Sequence, residues 1–232
     1  MNVFVGTSGW AYDWNEGGNL DWFIENSGLN AVELNASFYR FPYRNQILGW
    51  TRKGKGLRWS VKVHRSVTHT HQFNERAAEV WSRFFDAFAP LDPFIDFYLF
   101  QAPPRFTDAK KVIAFAERAG LGERFAVEIR NAGLLSDDDA CRSLQEHMTL
   151  VSVDSPVVFN RIFPGRTIYL RMHGREGWYS HDYMDAEMEE TAGLLKTARP
   201  DWAYVFFNND HAMLENARRM LRTLGGNRSK PV

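Results

Sequence analysis

The chain has 232 residues, 44% of them hydrophobic and 15% aromatic, enough for one large core and the right length for a single α/β barrel of about 200 to 250 residues. Lysine plus arginine and aspartate plus glutamate both total 28, so the formal net charge is zero and no long-range field draws the protein to nucleic acid or to an anionic membrane. The single cysteine, Cys141, excludes an internal disulfide and a cysteine-based metal centre.

The first apolar run, Val3–Gly6, starts almost at once and leaves no room for a secretory leader, so a cytoplasmic protein is expected. Further strands are predicted at Ala31–Asn35, Trp59–Val63, Phe97–Gln101, Phe125–Arg130, Leu150–Asp154, Thr167–Met172 and Trp202–Phe207. Helices fall between them. Asn74 stands ahead of Ala77, Trp81, Phe84, Phe85 and Phe88 at helical spacing, and Thr107-Asp108 opens a segment that Gly120 closes. Ser136 precedes three aspartates suited to a helix N-terminus, and Cys141 on that helix reads as a small core residue. Asn209-Asp210 precedes the apolar stripe Met213, Ala217, Met220, Leu221 and Leu224, with Asn209 a candidate cap.

No stretch suits a membrane span, since Phe84 to Phe100, the most apolar region, contains Asp86, Asp92, Asp96 and two prolines. A basic cluster, Arg40, Arg44, Arg52, Lys53, Lys55 and Arg58, reads as solvated surface. Between Asp154 and Thr167, Pro156 and Pro164 favour a loop over a sixth helix. Eight strands joined by crossovers predict a (β/α)8 TIM-type barrel, one domain over residues 1–224 with a flexible tail over 225–232. An open doubly wound sheet is the alternative, but Gly6-Thr7-Ser8-Gly9-Trp10 lacks the glycine spacing of a dinucleotide loop.

The strands end in polar residues at alternate positions. Glu33 with Asn35, Lys62 with His64, Glu128 with Arg130, and Arg171 with His173 each share a face, while the residues between them are apolar. Gln101, Asp154, Asn208 and Asn209 close three further strands. A parallel strand covered on both faces should be apolar throughout, so this recurrent polar face marks a candidate site in the mouth of the barrel.

Gly6-Thr7-Ser8-Gly9-Trp10, Glu33-Leu34-Asn35 with Phe38-Tyr39, Thr68-His69, Phe100-Gln101 with Pro103-Pro104, Glu128-Ile129-Arg130, Asp154 with Pro156, Arg171-Met172-His173-Gly174 and Phe207-Asn208-Asn209 together resemble the YecE-like family, domain of unknown function 72. The resemblance runs from Val3 to about Ala217 and implies a cytoplasmic TIM-type barrel without supplying a reaction. Two loops depart from the family pattern: the segment from Trp10 to Asn30 is short, and Asn131-Ala132-Gly133-Leu134-Leu135 stands where a tryptophan usually follows the arginine.

The residues themselves suggest metal-independent acid–base chemistry on a small polar anion bearing a sugar, phosphate or carboxylate. Glu128 and His173 are the expected proton carriers, and Lys62 joins them as a catalytic group that holds charge or forms a Schiff base. Arg130 and Arg171 are expected to grip negative charge, with Asp154 as an alternative, structural partner of Arg171. The remaining substrate-binding candidates are Thr7, Ser8, Trp10, Glu33, Asn35, Tyr39, His64, His69, Gln101, Asp154, Trp178, Asn208 and Asn209. Trp178 sits in the polar, glycine-containing loop Arg175–Tyr179, which is long enough to act as a lid.

Two alternatives stay open. His64, His69, His71 and His173 with Glu33, Glu128 and Asp154 would make the protein a metal-dependent phosphodiester hydrolase or nucleic-acid-binding barrel resembling endonuclease IV. Against this, no helical histidine pair is present and Lys62, Arg130 and Arg171 would repel a cation, so no cofactor is expected. The other alternative is a non-catalytic protein that binds a small ligand.

Overall fold

A computed structural model of the chain describes residues 1–226, so the predicted tail lies outside the described residues from 227 onward. Among the described residues nine strands are present: β1 Asn2–Ser8, β2 Ala31–Leu34, β3 Arg58–Lys62, β4 Ile95–Gln101, β5 Phe125–Glu128, β6 Thr149–Leu150, β7 Ser152–Asp154, β8 Thr167–Met172 and β9 Trp202–Phe207. They form one sheet in the order β6-β5-β4-β3-β2-β1-β9-β8-β7. The helices are α1 Leu20–Asn26, α2 Arg44–Lys53, α3 Glu75–Phe88, α4 Ala109–Ala119, α5 Ala132–Ser136, α6 Asp138–His147, α7 Asp185–Ala198 and α8 Met213–Thr223. This is the α/β fold of TIM-barrel type. The predicted sixth strand is split at Val151: Thr149–Leu150 pairs with β5 and Ser152–Asp154 with β8, which raises the count from eight to nine. No helix follows β7, and the bridge Val153–Arg161 folds that connection back on its own strand.

The chain divides into two compact units. The first comprises Met1–Glu33, Arg52–Trp59 and the chain from Ser152 onward. Its strands β1, β2, β7, β8 and β9 pair in parallel, and buried Val5, Val32, Leu170, Val205 and Phe206 fill it. Helix α8 covers β1 and β9 with Met213, Ala217 and Met220. Gly225, at φ 71°, ends that helix, and the Gly226 amide returns to the Leu221 carbonyl at 2.9 Å.

The second unit, Leu34–Thr51 with Ser60–Val151, has an aromatic core. Phe100 of β4 stacks on Phe125 of β5 at 3.9 Å, and Trp81, Phe84 and Phe88 bring the apolar stripe of α3 against it. The Asn74 side chain caps α3 through the Ala77 amide, Asp108 caps α4 through Lys111, and Gly120 closes α4 at φ 65°.

Asp137, the first of the three aspartates, caps α6, accepting from the Asp139 and Ala140 amides, while Ser136 is the last residue of α5 and its hydroxyl donates to the Ala132 carbonyl. One predicted cap is corrected. Asn209 does not cap a helix. A 3-10 turn, Asp210–Ala212, precedes α8, and the buried Asn209 amide turns inward to the His181 carbonyl and to Asn216 Oδ1, both at 2.7 Å.

Candidate functional site

In the first unit, strand register sets which side chains meet. Ser8 is in register with Glu33, Gly6 with Phe206, and Phe206 with Arg171. Since residues two apart share a face, Ser8, Glu33, Tyr169 and Arg171 all point to one side of the sheet. They close on one another. Arg171 donates to Glu33 through Nε at 3.0 Å and Nη2 at 2.7 Å, Tyr169 donates to Oε2, and the Ser8 hydroxyl donates to Oε1 at 2.7 Å. The strand order places β1 and β9 between Glu33 and the strand that carries Tyr169 and Arg171, a gap that these two long side chains span. Burial opposes the charge on Glu33, yet the Arg171 guanidinium and the two hydroxyls hold its carboxyl below the usual value. With these donors around it, Glu33 is a fixed carboxylate that aims Arg171.

Arg171 therefore pairs with Glu33 and not with Asp154, which corrects the structural partnership weighed from the sequence. Register explains the choice: Asp154 lies opposite Met172, one residue from Arg171, so its side chain leaves the sheet on the other face. Asp154 instead organises the loops. It accepts from the Asn160 amide at 2.8 Å and from Arg175 Nε at 3.1 Å, and it bonds the Tyr183 hydroxyl. That hydroxyl in turn accepts from the Gly174 amide at 2.8 Å. Arg175 also reaches Glu190 at 2.9 Å, and its Nη2 is buried with no hydrogen-bond partner among the described residues. Burial opposes the Arg175 charge, but Glu190 and Asp154 keep its pKa above the ordinary value.

His173 is buried, and Asn208 Nδ2 donates to its Nδ1 at 3.2 Å, which leaves the ring proton on Nε2 in this orientation of the amide. The Trp178 ring lies 5.4 Å from His173 and is 38% exposed, so this tryptophan flanks the histidine and faces solvent. Thr7 is occupied locally, its hydroxyl donating to the Gly9 carbonyl at 2.7 Å, where Gly9 turns at φ 97°. Trp10 packs edge-on against Trp59 at 5.9 Å.

In the second unit Lys62 and His69 both meet Phe38. Lys62 Nζ lies 4.3 Å from the centre of that ring, and His69 meets its edge at 5.1 Å. Glu128, in register with Gln101, accepts from Gln101 Nε2 at 3.1 Å and from Arg130 Nε at 2.7 Å. Burial lowers the His69 pKa, and the charges of Lys62, Arg130 and Arg65 lower it further. The Thr68 hydroxyl bonds His69 Nδ1 at 2.8 Å. His64 is held by loop backbone: Nδ1 accepts from the Ser66 amide at 3.2 Å and the ring bonds the Tyr39 backbone. Asn35 opens the 3-10 turn Ala36–Phe38, and Tyr39 beyond it is 69% exposed.

Sequence reasoning missed Tyr169 and the partners of Arg175 and Tyr183. Tyr169 carried a usable signal, standing two residues before Arg171 on the same strand face; the partners of Arg175 and Tyr183 are set by loop geometry, which alternation does not encode. Among the described residues no three histidine, cysteine, aspartate or glutamate side chains are grouped as a metal ion would need.

Residues 4–231 match the family model described as "Protein of unknown function DUF72". No curated protein matches the sequence. Among solved structures, a DUF72 family protein from Enterococcus faecalis V583 is similar over 99% of this chain and 98% of that one, at 20% identity and a TM-score of 0.81. Another, from Thermotoga maritima MSB8, is 26% identical over 97% of this chain and 100% of that one, with a TM-score of 0.80. A pyruvate kinase from Pyrobaculum aerophilum shares the fold alone, at 10% identity and a TM-score of 0.54 over 99% of this chain and 72% of that one.

Proposed function

This chain belongs to the DUF72 family, and because that membership carries a fold without a reaction, we propose from the chemistry of its own side chains that it is a metal-independent acid–base enzyme acting on a small anionic substrate. The observation that carries the reading is the charge around His69: Lys62 lies over the same Phe38 ring that His69 meets edge-on, Arg130 and Arg65 also act on the histidine, and Glu128 pairs with Arg130. Such a cluster favours a phosphate or carboxylate. Lys62 and Arg130 take the negative charge, Gln101 supplies a neutral contact, and Glu128 positions Arg130. His69, its pKa lowered by burial and by Lys62, Arg130 and Arg65, accepts the proton, and Thr68 fixes the ring. Glu128, expected from the sequence as a proton carrier, is a positioning residue in this reading because Arg130 and Gln101 occupy it. His173 remains a second candidate proton carrier, in the first unit.

Thermal unfolding in matched ionic strength tests the reading. Inorganic phosphate is expected to raise the Tm of the native protein above that in chloride, and Lys62→Met and Arg130→Met to abolish the difference while each variant still unfolds cooperatively. Methionine keeps the packing of the stem against Phe38. In a screen of sugar phosphates and carboxylates, His69→Asn is expected to retain binding and lose turnover. Phosphate and acetate stabilising no better than chloride would refute the proposal.

A further inference from the structure

Between residues 34 and 74 the chain carries eight lysines and arginines and not one aspartate or glutamate, although its formal charge is zero overall. The segment Tyr39-Arg40-Phe41-Pro42-Tyr43-Arg44 opens this stretch and presents its two tyrosine rings to solvent, Tyr39 being 69% and Tyr43 66% exposed, while Phe41 packs against Phe84. Neither ring belongs to a core. The Arg40 guanidinium lies over the Tyr43 ring at 5.3 Å. Tyr43 is held in place from behind, where its amide donates to Gln46 Oε1 at 2.9 Å and its carbonyl accepts from the first turn of α2. Tyr39 meets Phe38 edge-on at 5.1 Å, and Phe38 is the ring that touches both Lys62 and His69. One run of contacts therefore leads from the charge-holding cluster to the exposed Tyr39, and Arg40, next in the chain, lies over the exposed Tyr43.

We propose that this segment is a stacking subsite for a nucleobase, and that the anion held at Lys62 and Arg130 is the phosphate of a nucleotidyl group. The inference rests on the anion-binding reading above and names its substrate class. Exposed tyrosines beside arginine are what a nucleobase face requires, and the stretch itself adds no carboxylate to repel a phosphate. The same chemistry serves a free nucleotide or the end of a single strand.

Isothermal titration with inorganic phosphate, ribose 5-phosphate, adenosine 5′-monophosphate and a ten-residue oligothymidylate separates the cases. Adenosine monophosphate is expected to bind roughly tenfold or more tightly than ribose 5-phosphate, and the Tyr39→Ser/Tyr43→Ser double variant to reduce that ratio to about one while leaving ribose 5-phosphate affinity unchanged. Both side chains are exposed, so the variant is expected to keep the native Tm. If the oligonucleotide outcompetes the nucleotide and depends on the same tyrosines, the source is a strand end; if it binds no better, the source is free nucleotide. Equal affinity of the native protein for the two phosphates would overturn the stacking subsite and leave the anion reading standing. Binding of none of the four would overturn both.

Discussion

Replacing Arg171 by methionine tests whether the Glu33 pair is the buried charge centre of the first unit. Both side chains are 0% exposed, and the substitution removes two guanidinium bonds at 3.0 and 2.7 Å while leaving the Ser8 hydroxyl at 2.7 Å and the Tyr169 hydroxyl in place. Breaking such a pair from one side costs about 3–5 kcal/mol, because the abandoned charge stays buried. The two remaining hydroxyl donors set the expectation near the lower end, about 3 kcal/mol, or about 6–12 °C in Tm for a chain of this size.

The pH dependence gives a second reading. In the native protein the Glu33 pKa lies below 4.5, so its stabilisation is complete above that value and is lost as pH falls through the folded-state pKa. Without Arg171, burial is the largest remaining influence and drives the folded-state pKa above 4.5. The variant is then favoured at low pH and loses stability as pH rises through its new value, so its deficit against the native protein narrows on acidification. Urea unfolding at pH 7.5 and at pH 5, on the native protein, Arg171→Met and Glu33→Gln/Arg171→Met, measures both effects. The double variant should recover at least about 1 kcal/mol of the single variant's loss, since no buried charge remains. A cost below about 1 kcal/mol for Arg171→Met, or no recovery in the double variant, would refute the reasoning.

Asp154→Ala is expected to cost about 2–3 kcal/mol, since it strands Arg175 and the Tyr183 hydroxyl, and to speed hydrogen exchange at the Asn160 amide; unchanged exchange there would remove Asp154 from its role as loop anchor. Gly174→Ala should destabilise by more than about 1 kcal/mol, because φ is 102° and the added carbon would lie 2.6 Å from the Gly177 carbonyl oxygen, whereas Gly193→Ala, in open space inside α7, should stabilise by about 0.5–1 kcal/mol. Both are read from urea midpoints. His64 and His69 have folded-state pKa values below 6.5, so the unfolded chain takes up their protons first and stability should fall as pH drops from 6.5 through those values. Proton NMR titration of the two rings checks this, and a midpoint above 6.5 for either would contradict it.

The barrel class was legible because its signals are local and repeat: short apolar runs spaced by crossover-length helical stripes, with caps such as Asn74 and Asp108 at their starts. The candidate site was legible for a related reason, since alternate charges on otherwise apolar strands need no knowledge of neighbours to be noticed. Pairing was different. Glu33 and Arg171 lie 138 residues apart, while Asp154, much nearer in sequence, is excluded from Arg171 by a single step of register.

Sequence by itself determined which strand ends are polar, that the sixth helix is missing, and that Cys141 is a small buried side chain. Only the tertiary structure decided that Arg171 chooses Glu33, that Asp154 anchors loops, that Asn209 turns inward, and that Tyr39 and Tyr43 stand in solvent. Alternation and helical periodicity are properties of one element, carried by residues close along the chain. The partner of a charge depends on register between strands and on how far a side chain reaches across the sheet, and those are fixed only when distant segments pack.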